Sequence, residues 1–148
     1  VFQQIKAYDV VLGTAHISPE ECFIVVEEAR KMGLEKIVVT HPEWWIVGMT
    51  LEDQIRITKD YNVYLERCFA QPMGGGKYKS NLPSNLETIQ AVGYKNVMIS
   101  TDGGQVENPN WEIALGQYLD YLADNGIPEE QIHYMTHTIQ RRLLNLED

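Results

Sequence analysis

The sequence is short of several things, and each shortage excludes a class of protein. Only two cysteines, Cys22 and Cys68, occur in 148 residues. That is too few for a disulfide scaffold and fits the reduced thiols of the cytoplasm. No apolar run reaches the ~18 residues that a membrane span needs. Basic residues are scarce, 12 Lys and Arg against 21 Asp and Glu, for a net charge of −9. No basic cluster offsets this, so neither nucleic acid nor an anionic membrane is expected as a partner; the acid excess can instead partly serve a cation. The first residues lack the basic and apolar regions of a secretory leader. They read as the tail of a helix already under way, so further residues are expected in front of Val1.

What is present suffices for one domain with a real core: 44% of residues are apolar and 22% charged, the balance of a folded rather than a disordered chain. Short β-branched runs alternate with helical stretches. Asp9–His16 reads as a strand buried on both faces. Ser18-Pro19-Glu20-Glu21 opens a helix with a capping box, and Gly33 stops it. Lys36–Thr40 is the second strand. Thr50 with Asp53 caps a helix over 51–60. Asn62–Leu65 is a short third strand ending at Glu66. Arg67–Leu82, with Gly74-Gly75-Gly76, reads as a long irregular loop, and loops of that length are usually functional or mobile. A helix over Pro83–Ala91, a strand over Asn96–Thr101, a turn-rich loop over Gly103–Asn110 and helices over Trp111–Asp124 and Pro128–Asn145 complete the chain. Such alternation predicts parallel strands with right-handed crossovers. Four units in 148 residues are about half of a (β/α)8 barrel.

In parallel α/β folds the site lies at the carboxyl ends of the strands. The residues expected there are His16, His41, Glu66 and Asp102, at intervals of 25, 25 and 36 residues. All four types ligate divalent metals, imidazole through nitrogen and carboxylate through oxygen. Polar residues also end strands merely to cap the next helix, but four such ends in succession favour a metal site. Glu66 is its weakest member and has Arg67 as an alternative partner.

The segments Thr14-Ala15-His16-Ile17-Ser18-Pro19-Glu20-Glu21, Val38-Val39-Thr40-His41-Pro42 and Ser100-Thr101-Asp102-Gly103-Gly104-Gln105 resemble the last four strands of an amidohydrolase-superfamily barrel, in particular a poorly characterised branch of metal-dependent hydrolases. The resemblance implies metal-binding roles for His16 and His41 and a metal-binding, proton-accepting role for Asp102. It implies zinc, with manganese or iron as alternatives, and hydrolysis of a small amide, lactone or ester by a metal-activated water. The same constellation also serves decarboxylation, and a non-catalytic binding or assembly module is a third possibility. The chain has no His-x-His pair, which the superfamily carries on its first strand. The resemblance therefore implies the C-terminal half of a larger barrel, closed by an N-terminal half or by a second copy of the chain.

Other signals are weaker. Trp44 wall-lines a pocket or covers the rim. Lys77, beside the three glycines, can meet an anionic substrate group, and Gln105 follows the Asp102 motif; these three are the expected substrate contacts. The triple glycine lacks the Ser or Thr and the leading Gly of a P-loop. His133 and His137 lack the Glu of the metalloprotease helix and read as a solvated or packing pair. Cys22 belongs to the core, and Cys68 has no setting for a nucleophile.

Overall fold

A computed structural model describes residues 1–146. Six strands follow in chain order: β1 (Leu12–Gly13), β2 (Ile37–Val39), β3 (Tyr64–Cys68), β4 (Ala70–Gly74), β5 (Lys77–Ser80) and β6 (Val97–Ser100). The helices are α1 (Phe2–Tyr8), α2 (Pro19–Lys31), α3 (Leu51–Tyr61), α4 (Leu82–Val92), α5 (Trp111–Asp124), α6 (Glu129–His133) and α7 (Ile139–Leu143).

Capping chemistry places the helix starts. The Ser18 hydroxyl accepts the Glu21 N–H, and the Glu21 carboxylate accepts the Ser18 N–H, so α2 begins on the expected reciprocal box. Thr50 likewise accepts the Asp53 N–H to start α3. Helix α3 ends one turn before the next strand because Asn62 takes a left-handed backbone, φ 50°, a conformation that asparagine tolerates.

Strands β1, β2, β3 and β6 form one parallel sheet in that order, so each strand pairs with the next (βα) unit along the chain. Helices α2 to α5 cover one face. Leu12, Ile37, Val39 and Leu65 pack there against Cys22, Val26, Ala29 and Ile57, and Val97 and Ile99 against Ile89, Ala114, Tyr118 and Leu122. Together these two clusters hold most of the buried apolar surface and supply the main drive to fold. No helix among the described residues is long and apolar enough to cross a membrane.

Four features differ from the sequence-based expectation. First, β1 is only two residues and buries one face, Leu12 in and Gly13 out; it stands at the sheet edge with a ladder to β2 alone, which keeps it short. Second, β3 runs on to Cys68, two residues past Glu66, which puts Glu66 within the strand rather than at its end. Third, the stretch over 67–82 is not an irregular loop. Ala70–Gly74 and Lys77–Ser80 pair antiparallel as a hairpin, with Gly75 and Gly76 supplying the positive φ of its tip.

The fourth difference concerns the second sheet face. A half barrel would leave it open toward the other half. Here the chain crosses it. Helix α6 continues through a π-helical turn at Tyr134–Thr138 into α7 with helical backbone throughout. Ile139 and Leu143 of α7 then pack on Val38, with Val11, Tyr64 and Met98 around them. The architecture is therefore a four-stranded parallel α/β sheet with helices on both faces. The π-turn lets one helix serve both clusters, with Met135 in the first face's core and Ile139 in the second's.

Ile139 is fully buried, and truncating such a side chain typically costs about 2–5 kcal/mol. Ile139→Ala should lower unfolding stability in urea by that amount. Ile24→Ala, at a position 62% exposed on α2, should change it by less than about 0.5 kcal/mol. Equal effects would show that α7 does not hold the second face.

Candidate functional site

The site is built where β1, β2 and β6 end. Two threonines set it up. The Thr40 N–H donates to Thr14 Oγ1 at 3.1 Å, and the Ala15 N–H donates to Thr40 Oγ1 at 3.3 Å. This reciprocal pair ties the chain leaving β1 to the chain leaving β2. The next residue on each is a histidine, and the two imidazoles meet: His16 Nε2 and His41 Nε2 are 3.0 Å apart, with ring centroids 4.8 Å apart and the planes at 23°.

Each rim turn passes through left-handed backbone at a residue other than glycine. Ala15 has φ 55°, His41 φ 24° and Asp102 φ 47°. Such residues cost of order 1–3 kcal/mol each and concentrate where function requires the geometry. Gly103 follows Asp102 for a steric reason. A Cβ there would lie 2.9 Å from Trp111 Cβ and 3.1 Å from Trp111 Cα, so only glycine lets the loop after β6 pass the start of α5.

Charge links the remaining members. Burial lowers the His41 pKa from its ordinary 6.5; the facing His16 adds to that shift, and Asp102 opposes it. The carboxylate of Asp102 is thus within electrostatic reach of the histidine pair. Glu66 lies on the second sheet face, where burial pushes its carboxyl pKa up; a hydrogen bond from Ser100 opposes that, and Asp102 adds to it. The structure therefore brings His16 and His41 into contact, with Asp102 in electrostatic reach of both His41 and Glu66. Among the described residues no group of three or more His, Cys, Asp or Glu is arranged to hold a metal ion. The two Nε2 atoms stand at hydrogen-bond distance, one imidazole donating to the other, and both are of a residue type that can hold a divalent ion. The carboxylates stand nearby without completing the set.

Trp44 is buried and stacks on His41, centroids 4.1 Å apart at 15°, while Trp45 points to solvent and is 66% exposed. Trp44 therefore backs the histidine with the face of its ring. Lys77 is exposed at the tip of the hairpin; its neighbour Lys79 reaches a cavity beside α3 and α4. Gln105 is half-buried in the loop after β6, its carbonyl accepting the Asn108 N–H. His133 and His137 are exposed and stacked on one another at 4.7 Å, as a solvated pair. Both cysteines are free and buried. Burial pushes the Cys22 thiol up to about 11 and raises that of Cys68 further still, which excludes either as a nucleophile at neutral pH.

The sequence reading missed the strongest polar assembly in the molecule. Arg67 does not pair with its neighbour Glu66, because adjacent strand residues point to opposite faces. It lies under the helices, with its side chain 1% exposed, 3.2 Å from Glu43 Oε2. Its guanidinium also donates to Asn85, Gln54 and Ser84. Glu43 Oε1 in turn accepts the Cys68 N–H and the Asn81 side-chain amide. Glu43 stands two residues after His41, so this buried pair fixes the turn that carries the histidine and Trp44. The one signal is an arginine that alternates with Leu65 and Glu66 in a strand of the central sheet, where a buried cation demands a buried acceptor.

Two measurements follow. Arg67→Ala leaves Glu43 buried without its cation and should cost about 3–5 kcal/mol, read by urea unfolding; pairing it with Glu43→Gln should recover part of the loss. Recovery of nothing would mean that the two groups act separately. The His41 shift has a definite sign. The unfolded chain takes up a proton near pH 6.5 that the folded chain refuses, so stability falls as pH drops below about 6.5. His41→Gln should make that slope shallower between about pH 7 and pH 5, and an unchanged slope would show that His41 is not held neutral.

Residues 1–66 match a family of unknown function, DUF6282. The match takes in β1, β2 and both histidines and stops before Arg67 and Asp102. No curated protein and no solved structure matches the chain.

Proposed function

We propose that the chain is a metal-dependent hydrolase of a small amide, lactone or ester, with His16 and His41 as the imidazole ligands and Asp102 as the carboxylate. The observation that carries the proposal is the meeting of two imidazole nitrogens at 3.0 Å, on the carboxyl rim of a parallel sheet, through backbone turns strained at three residues. Two neutral imidazoles with one carboxylate and an open position are the donor set of a catalytic zinc; manganese and iron accept the same donors.

A bound divalent ion supplies polarisation of a carbonyl and a water whose pKa falls to about 7. The chain's own residues do the rest. The stack of Trp44 on His41 and the Thr14–Thr40 pair orient the imidazoles. Asp102 accepts a proton from the attacking water and returns it to the leaving group. Glu66, set back from the rim within β3, belongs to the pocket wall in this reading. The consecutive order of the strands is that of half a (β/α)8 barrel. We read the further donors of the site as coming from strands closing that barrel, either from an N-terminal half or from a second copy. Two buried free thiols suit the reducing cytoplasm.

The test is zinc binding followed by calorimetry and elemental analysis. The wild-type protein should retain stoichiometric zinc after dialysis, and His16→Ala with His41→Ala should lose it. Asp102→Asn should abolish hydrolysis of an activated ester while leaving the thermal midpoint within about 2 °C, as a surface substitution does. Full zinc occupancy in the double histidine variant would end the proposal.

A further inference from the structure

The helix that runs from one sheet face to the other carries a pair of groups that the rim site does not use. His133 and His137, four residues apart, are both exposed, and their rings stack with centroids 4.7 Å apart and planes at 27°. Among the described residues neither ring makes a hydrogen bond or an ion pair. A spacing of four already puts two side chains on one face of an α-helix. Here the backbone between them is the π-turn, Tyr134–Thr138. Its wider i→i+5 ring packs more residues into each turn, so the rise between the two histidines is smaller than an α-helix gives.

The same turn has structural consequences on both sides of the sheet. It seats Met135 in one core and Ile139 in the other. The Met135 carbonyl within it accepts the Gln140 side-chain amide at 2.8 Å, and that amide also donates to the Ile99 carbonyl on β6 at 3.3 Å. A π-turn is a rare break in the α-helical ladder and is found mostly at functional sites. Whatever grips both ends of this one also holds α7 in register with the sheet.

We infer that His133 and His137 form a cation site separate from the rim, taking a divalent ion of the zinc or nickel kind across the π-turn and so pinning it. Imidazole is the ligand such ions favour. Stacked rings do not converge on one point, but the χ2 torsion of an imidazole is broad, and exposed rings turn without disturbing a core. Water fills the remaining positions. Glu129 and Glu130 stand one turn before His133 and Arg141 one turn after His137. An incoming cation therefore meets net acidic surroundings, on a chain of net charge −9. Retained zinc sites have three or four protein ligands; with two, this one exchanges its ion on dialysis and is read by titration. The inference does not rest on the hydrolase reading.

The chain has four histidines, so His16→Ala with His41→Ala leaves only this pair. In that variant, zinc at about ten times its dissociation constant should raise the thermal midpoint by roughly 3–6 °C and slow amide exchange across Ile139–Leu143 roughly tenfold. Magnesium should do neither, because it prefers oxygen ligands. Adding His137→Ala should abolish both effects. Should the rim variant not fold, the ring signals of His133 and His137 in the wild-type protein report the same event by nuclear magnetic resonance: zinc should move both together, and magnesium neither. No response to zinc, an equal response to magnesium, or a response that survives His137→Ala would overturn the inference. Binding without slower exchange across α7 would mark an adventitious ion only and overturn it too. Failure of the wild-type protein to retain zinc on dialysis would instead overturn the hydrolase reading and leave this site standing.

Discussion

The buried Arg67–Glu43 pair is the constraint on which the rest of the arrangement depends. A guanidinium cannot discard its charge, so it must be surrounded by acceptors wherever it is buried. Those acceptors come from three places: Glu43 in the loop after β2, Gln54 on α3, and Ser84 and Asn85 on α4. Satisfying one residue thus fixes the relative positions of all three. Glu43 can reach Arg67 only if the chain turns sharply at His41-Pro42, and that turn is the one that takes His41 to φ 24° and seats Trp44 behind its ring. The geometry of the histidine pair is in this sense secured from the opposite face of the sheet. Replacing Arg67 by Lys would not preserve it, because a point charge cannot bridge Gln54, Asn85 and Ser84 as a planar fork does.

Much of the framework was legible from local rules. The capping box at Ser18, the cap at Thr50 and the β-branched strands are consequences of short-range chemistry, and they appear at the expected residues. A positional rule, that parallel sheets place function at their carboxyl ends, points to the two histidines, and the contact between them follows from the register of β1 on β2, in which each residue pairs with the one 25 positions later. What was not legible depends on long-range satisfaction. The length of β3 is set by its ladder to β6, four residue pairs from Leu65 to Cys68, which no local pattern in Asn62–Leu65 announces. The hairpin reads as a loop in the sequence because β4 contains a proline, β5 is polar and exposed, and Gly74-Gly75-Gly76 lies between them. The partner of Arg67 could not be read at all, since 24 residues and a whole helix separate it from Glu43.

The final helix shows how a sheet with two faces settles its second one. Valine, tyrosine and methionine side chains at Val38, Tyr64 and Met98 cannot be left in water without cost. A closed barrel would cover them with opposing strands. In this chain α7 covers them, and the π-turn at Tyr134–Thr138 is the device that allows it. The extra residue of a π-turn rotates everything after it relative to an ideal α-helix. Met135 can then face the first core and Ile139 the second within a single helix. The turn also exposes carbonyls to other donors, and Gln140 uses two of its neighbours' carbonyls to hold the strand and helix together.

A helix packed on the inner face and a barrel closed by further strands compete for the same surface. Val38 has one set of neighbours at a time. If the chain closes with another half, Ile139 and Leu143 must leave Val38. The histidine pair is less exposed to that exchange. His16 and His41 are tied by threonine hydroxyls at the rim and by Glu43 from the helical side, and neither tie runs through α7. The rim therefore keeps its form whichever partner covers the inner face. Strain at Ala15, His41 and Asp102 persists because the helical core beneath it is large and independent of the choice. Two histidines fixed from behind in this way keep their mutual geometry whatever covers the inner face in front of them.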